Sequence, residues 1–192
     1  MDLFYISIIS YFFGSVPFGY LLTKIFLKKD IRDIGSGNIG ATNVLRTGNK
    51  IVGYSTLILD ISKTIIPVLY VKFNHYDLVY LSSLCVFLGH LFSIWLKFKG
   101  GKGVASYIGI LFSLNLVFGI IFIISWIIIF LITKYSSLSS LIGSLSVPIY
   151  LLVINQLEQI SFFMIMLILI LYTHRENIKR LKNRQETKTK IY

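Results

Sequence analysis

The chain has 192 residues, 55% of them hydrophobic, with a mean hydropathy of +0.77. That composition excludes a soluble domain with a polar exterior and places the protein in a bilayer. Its formal net charge is +11, but every lysine and arginine except Lys63 and Lys72 lies in segments that flank apolar spans on one side. This is the distribution of cytoplasmic loops and excludes a nucleic-acid-binding face. The single cysteine, Cys85, excludes an intrachain disulfide framework, and the scattered His75, His90 and His174 have no metal-ligand spacing. No metal and no cofactor are expected.

Residues 3–26 read as a first span that stops at Lys24, Lys28 and Lys29, so the N-terminus is expected outside. No basic region precedes it, which argues for a span and against a cleaved signal. At mid-depth the run GSVPFG frees backbone groups that neighbours or a polar cavity must satisfy; close helix packing explains Gly14 and Gly19 equally well. The next segment, DIRDIGSGNIGATNVLR over 30–46, is polar and glycine-rich between two long apolar runs. Gly35, Gly37 and Gly40 allow left-handed turns whose amides form an anion nest. Ser36, Asn38, Thr42 and Asn43 add side-chain donors, and the planar fork of Arg46 matches phosphate oxygens. The GxGxxG spacing is accidental, because a dinucleotide site needs a preceding buried strand and a βαβ unit. A plain glycine-rich turn is the alternative.

Residues 51–71 run outward, with Asp60 and Lys63 one turn apart; they pair, or they face a wet interior. After a turn at 74–77, residues 78–96 return, carrying Gly89 and His90 near the inner end. KFKGGKG (97–103) repeats the recipe of glycines and cations, and a helix from about Val104 aims its N-terminal amides at the same anion. No Ser or Thr follows Lys102, so this is not a Walker loop. Lys97 and Lys99 also read as ordinary interfacial charge.

Residues 104–133 are too long for one crossing and short for two, so they are expected to go out and back with a turn at 113–115 and one short helix. KYSSLSS follows, where Ser137 or Ser139 is expected to cap the next helix. Residues 141–154 go out, NQLEQ turns, 160–173 come back, and the basic tail 174–192 is cytoplasmic. The expected architecture is all-α: one integral-membrane domain over 1–192 with seven transmembrane helices, N-terminus outside and C-terminus cytoplasmic. All the polar segments then share one membrane face.

Arg46, Lys99, Lys102 and Arg175 supply cations for phosphorylated reactants. No carboxylate pair has glycosidase or metal spacing, and no histidine has an aspartate five residues on, the usual acyltransferase dyad. A hydroxyl attacking here gives its proton to His174 or to a substrate phosphate. Asn177 is expected on the same helical face as His174. A small permease for an organic phosphate is the competing reading, although no inverted repeat is visible.

Four motifs, GSVPFG, DIRDIGSGNIGATNVLR, GHLFSIWLKFKGGKGVA and HRENIKRL, stand in the order of the signature motifs of the PlsY family, which the chain resembles nearly end to end. These are bacterial acyl-phosphate:glycerol-3-phosphate acyltransferases. The resemblance implies an inner-membrane enzyme, active on the cytoplasmic side, that moves a fatty acyl group from acyl phosphate to the sn-1 hydroxyl of glycerol 3-phosphate. Lysophosphatidic acid and phosphate are released, opening phospholipid synthesis. By motif, Ser36, Arg46 and Lys102 hold phosphate with the amides of Gly37, Gly101 and Gly103, while His174 and Asn177 position glycerol 3-phosphate. Asn38, Asn43, Lys99 and a serine among Ser137, Ser139 and Ser140 are the remaining expected substrate contacts. The implied partners are the two substrates and membrane lipid, with no nucleic acid; the oligomeric state stays open, a monomer included. The chain departs from the family at Ser93, where proline is usual, and at Arg184, where glycine is usual.

Overall fold

A computed structural model describes residues 1–189 and is all-helical. The chain divides into two compact units, one of Met1–Leu114 and one that begins at Asn115.

The first unit holds six helices: α1 (Asp2–Ser15), α2 (Phe18–Leu27), α3 (Ala41–Leu45), α4 (Lys50–Asn74), α5 (Val79–Leu91) and α6 (Val104–Leu114). Pro17 separates α1 from α2: it has no N–H and forces Val16 into an extended conformation (φ −60°, ψ 116°). The carbonyls left open there are met by side chains. Ser93 Oγ donates to Ser15 O at 2.5 Å, and Lys63 Nζ donates to Val16 O at 2.6 Å. The expected mid-span break is therefore present, and protein groups satisfy these two carbonyls. The expected close packing is present as well: a Cβ on Gly14 would overlap the Val86 carbonyl, and one on Gly89 the Tyr11 carbonyl, so α1 and α5 meet backbone to backbone.

α4 begins under an Asn49 cap, whose side chain accepts from Val52 N at 3.0 Å. Near its other end Lys72 Nζ donates to the carbonyls of Ser113 and Leu114, at 2.7 and 2.9 Å. Those are terminal acceptors of α6, so one of the two lysines outside the basic loops serves as a helix cap.

The second unit holds α7 (Leu116–Thr133), α8 (Ser136–Val153), α9 (Ile160–Thr173) and α10 (Arg175–Lys182). Asn115 caps α7 by accepting from Val117 N at 2.9 Å, so the helix of the 104–133 run is interrupted within the expected 113–115. α6, with 11 residues, is the short member of the pair; at 1.5 Å per residue it spans about 16 Å. Neither Ser137 nor Ser139 caps α8. That position falls to Tyr135, without a side-chain cap bond, because α8 starts one turn earlier than the apolar pattern and takes the serines into its first turns. α9 and α10 meet at a 63° bend.

Among the described residues, five helical stretches are long and apolar enough to cross a membrane, six if the bent α9–α10 pair counts as one span. Ile124, Ile128, Leu131 and Ile132 of α7 are all at least half exposed, the surface expected of a helix solvated by lipid rather than water.

Candidate active site

The 30–46 loop stands on an apolar footing. Its own Ile31, Ile39 and Val44 are buried in one cluster with Val52 of α4 and Leu96, which immediately precedes the 97–103 loop. Burying those side chains fixes both polar loops to the same support.

Within the first loop Asn43 is the organiser. Its Oδ1 accepts from Ser36 N at 2.9 Å, and its Nδ2 donates to the carbonyls of Ile31 (3.2 Å), Ile34 (2.8 Å) and Asn38 (2.9 Å). With 2% exposure and its amide so engaged, Asn43 holds the loop's shape rather than offering donors outward. Only Gly35 and Gly37 of the three glycines adopt positive φ, +56° and +70°. Gly40 instead precedes α3 as its N-cap. A Cβ on Gly35 would overlap Asn43 Oδ1 and stand 3.1 Å from Arg46 Cδ, so the Arg46 side chain lies against this turn. Ser36 and Gly37 are exposed and Asn38 is half-buried. The neighbouring Arg32 is engaged by Asp30 at 2.6 Å, and that contact holds the Asp30 carboxyl down to about 2. Among the described residues, no carboxylate reaches ion-pair distance of Arg46 or Lys99.

The 97–103 loop is seated on the end of α5. Gly100 N donates to Leu91 O and Gly101 N to His90 O, both at 3.0 Å, and a Cβ on Gly101 would overlap the His90 imidazole. Gly103 has φ +87° and leads directly into α6. The expectation that the Gly37 and Gly101 amides face an anion needs correcting. Gly37 N closes a tight turn on Ile34 O, and Gly101 N is engaged as above, tethering its loop to the end of α5. Their contribution is conformation and clearance. Lys102 is half-buried and Lys99 exposed, and the first-turn amides of α6 begin two residues beyond Lys102.

The second unit contributes a separate cluster. Glu186 Oε1 accepts from Ser137 Oγ (2.6 Å) and Asn177 Nδ2 (2.7 Å), and Oε2 accepts from Arg180 Nε (2.8 Å). Burial pushes the Glu186 carboxyl up, but the three hydrogen bonds outweigh it and hold the group below the usual range. This separates the three serines: Ser139 and Ser140 bond to the carbonyls of Tyr135 and Ser136 in their own chain segment, and Ser137 shares the Glu186 carboxylate with Asn177. His174 is 2% exposed at the α9–α10 bend, with Nδ1 2.9 Å from Ile170 O. A carbonyl only accepts, so Nδ1 carries the hydrogen, and Nε2 is the basic nitrogen of the neutral ring. His174 and Asn177 do not share the face of one straight helix, because the bend falls at His174 itself.

Two parts of this arrangement escape sequence reading. Glu186 is one of two carboxylates in a cationic tail, a weak signal, and nothing in its spacing names three donors. The seat that His90 provides for Gly101 exists only in three dimensions.

The model of the family described as glycerol-3-phosphate acyltransferase matches residues 4–184. The chain belongs to that family. The similarity extends to a glycerol-3-phosphate acyltransferase of Pelagibacter ubique, 67% identical with both chains fully covered. One of Bartonella henselae is 48% identical over 95% of this chain and 90% of its own. Among solved structures, the crystal structure of PlsY (YgiH), an integral membrane glycerol 3-phosphate acyltransferase in its glycerol 3-phosphate form, superposes with a TM-score of 0.92. It is 33% identical, covering 98% of this chain and 96% of that one. The lysophosphatidic acid form superposes with a TM-score of 0.89. The protein is thus an integral-membrane enzyme that acylates glycerol 3-phosphate in phospholipid synthesis.

Proposed function

We propose that the acyl donor is acyl phosphate and that the sn-1 hydroxyl of glycerol 3-phosphate is its acceptor. The observation that carries this reading is the pair of cation-bearing glycine loops on one apolar footing, a device suited to a phosphate that leaves as an anion. In an acyl phosphate the hydroxyl oxygen attacks the carbonyl carbon, the C–O bond to phosphate breaks, and the departing dianion needs charge neutralisation more than acid assistance. Arg46 and Lys102 hold that phosphate, with Ser36 and Lys99 beside it, as electrostatic preorganisation without a covalent enzyme intermediate. The Asn43-braced turn and the clearance at Gly101 and Gly103 place these groups.

Asn177 and Ser137, oriented by Glu186, bind glycerol 3-phosphate, and His174, three residues before Asn177, offers Nε2 as a proton acceptor. A phosphate oxygen is the other acceptor chemistry allows. His174→Gln separates the two: a loss of about 100-fold or more assigns the proton to the imidazole. The chain works as one multi-pass domain of seven spans in the bacterial inner membrane, with its N-terminus outside and the loops on the cytoplasmic side. The distribution of lysine and arginine supports that orientation.

The test uses purified enzyme with palmitoyl phosphate, palmitoyl-CoA and glycerol 3-phosphate. Phosphate release that requires glycerol 3-phosphate, with 1-acyl product, supports the reading. Turnover with the thioester alone, or a 2-acyl product, rejects it. Arg46→Ala and Lys102→Ala should insert normally and lose turnover; activity retained in either removes that residue from the site.

A further inference from the structure

A buried charged group in the first unit lies outside the chemistry described so far. Lys63 and Asp60 of α4 are 4% and 2% exposed, with Nζ 2.7 Å from Asp60 Oδ1. Two such charges far from water are costly unless their geometry is used. The lysine also donates to Val16 O, at the break between α1 and α2, and lies 5.7 Å from the centroid of the Phe18 ring. On its other side Asp60 Oδ1 faces His90 Nδ1 at 3.9 Å, and that nitrogen has no hydrogen-bond partner. The opposite edge of the same imidazole is where a Cβ on Gly101 would fall, and the His90 carbonyl accepts the Gly101 amide. Contacts therefore run unbroken from the broken first span, through Lys63, Asp60 and His90, to the residue that precedes Lys102.

We propose that Asp60, Lys63 and His90 are positioning residues that brace the 97–103 loop against the broken first span and thereby set where Lys102 meets the donor phosphate. Three observations carry it. The pair closes on a carbonyl of the chain break, which gives the buried lysine a directed partner. His90 is held by a charge on one edge and supports a glycine on the other, so its ring acts as a spacer of fixed thickness. Gly101 has no side chain where that spacer sits. The brace rests on the reading that Lys102 holds the phosphate of the acyl donor.

The parent enzyme is assayed first with palmitoyl phosphate; no turnover there rejects the donor reading and not the brace. With an active parent, His90→Ala and the charge-neutral exchange Asp60→Asn with Lys63→Met are compared for insertion, then for KM toward each substrate separately. The brace predicts a KM for acyl phosphate raised tenfold or more, with KM for glycerol 3-phosphate within twofold. Gly101→Ala alone should be similarly impaired. Combined with His90→Ala, which vacates the space its methyl needs, it should recover activity beyond the product of the two single effects. Equal rises in both KM values would mean general loosening and would overturn the proposal, as would an indifferent His90→Ala or strictly multiplicative effects in the double variant. Should His90→Ala fail to insert, His90→Gln carries the same comparison, with an expected threefold rise for acyl phosphate alone; no change there overturns the brace.

Discussion

Replacing Glu186 by Gln tests the second-unit cluster with the smallest steric change. Three donors converge on this carboxylate, from Ser137, Asn177 and Arg180, at 2.6, 2.7 and 2.8 Å. A glutamine has one acceptor oxygen and an amino group that donates. If its oxygen meets Ser137 and Asn177, the amino group faces the Arg180 guanidinium; turned round, it faces Asn177. Either way one donor points at another donor, and the two surviving bonds lose their charged acceptor. Hydrogen bonds to charged groups contribute about 1.5–3 kcal/mol each, so the loss is about 2–4 kcal/mol. That lowers the unfolding midpoint of the detergent-purified protein by roughly 5 °C or more, and activity falls with it as Asn177 loses its orientation. The pH dependence has a definite sign. A carboxyl held below its ordinary value stabilises the fold fully above the unfolded glutamate pKa, about 4.3, and that stability disappears as pH drops through the lower folded value. The parent midpoint should therefore fall on acidification below about pH 4, while Glu186→Gln lacks this component. A variant with the parent's midpoint, activity and acid response would refute the clustering of these donors on one carboxylate.

Ser137→Ala should cost activity by about 10-fold through the same cluster, a loss of about 1.4 kcal/mol, whereas Ser139→Ala, which removes only a bond to its own helix, should stay within about twofold. The readout is kcat/KM for glycerol 3-phosphate. Gly35→Ala meets both a positive φ and the Asn43 amide and should abolish measurable turnover in membranes. Gly48→Ala, at φ +86° with open space around its Cβ position, should cost only about 1 kcal/mol of stability. Ser93→Pro should be tolerated: Ser93 already has φ −62°, and its amide makes no backbone bond. It loses the Oγ bond to Ser15, so the midpoint should drop by a few degrees with activity retained, whereas complete inactivation would show that the 93–98 turn depends on that hydroxyl.

Helix content, the break at Pro17, the helix break at Asn115 and the 97–103 loop were all legible in the sequence. Each is a local consequence of residue type: a missing N–H, a capping amide, or a glycine run between apolar stretches. A misplaced boundary lies at α8. Ser136, Ser137, Ser139 and Ser140 read as loop by polarity, yet the oxygens of Ser139 and Ser140 bond back to chain carbonyls, and the helix keeps them.

Chemistry-bearing types were legible as well: serine, arginine and lysine in glycine loops, histidine and asparagine at the basic end. What each does locally was not. Asn43 read as a donor for substrate, but its amide goes to three carbonyls of its own loop. Gly37 and Gly101 read as amide donors for an anion, but the Gly37 amide closes a turn and the Gly101 amide tethers its loop to the His90 carbonyl. A hydrogen bond has two ends, and the second end is chosen by tertiary packing. Membrane residence and the supply of cations follow from composition and local pattern. The pairing of Glu186 with Ser137, Asn177 and Arg180, and of Lys63 with the Val16 carbonyl, arises only when segments distant along the chain are folded together, because directed bonds of a few ångströms depend on coordinates and not on spacing.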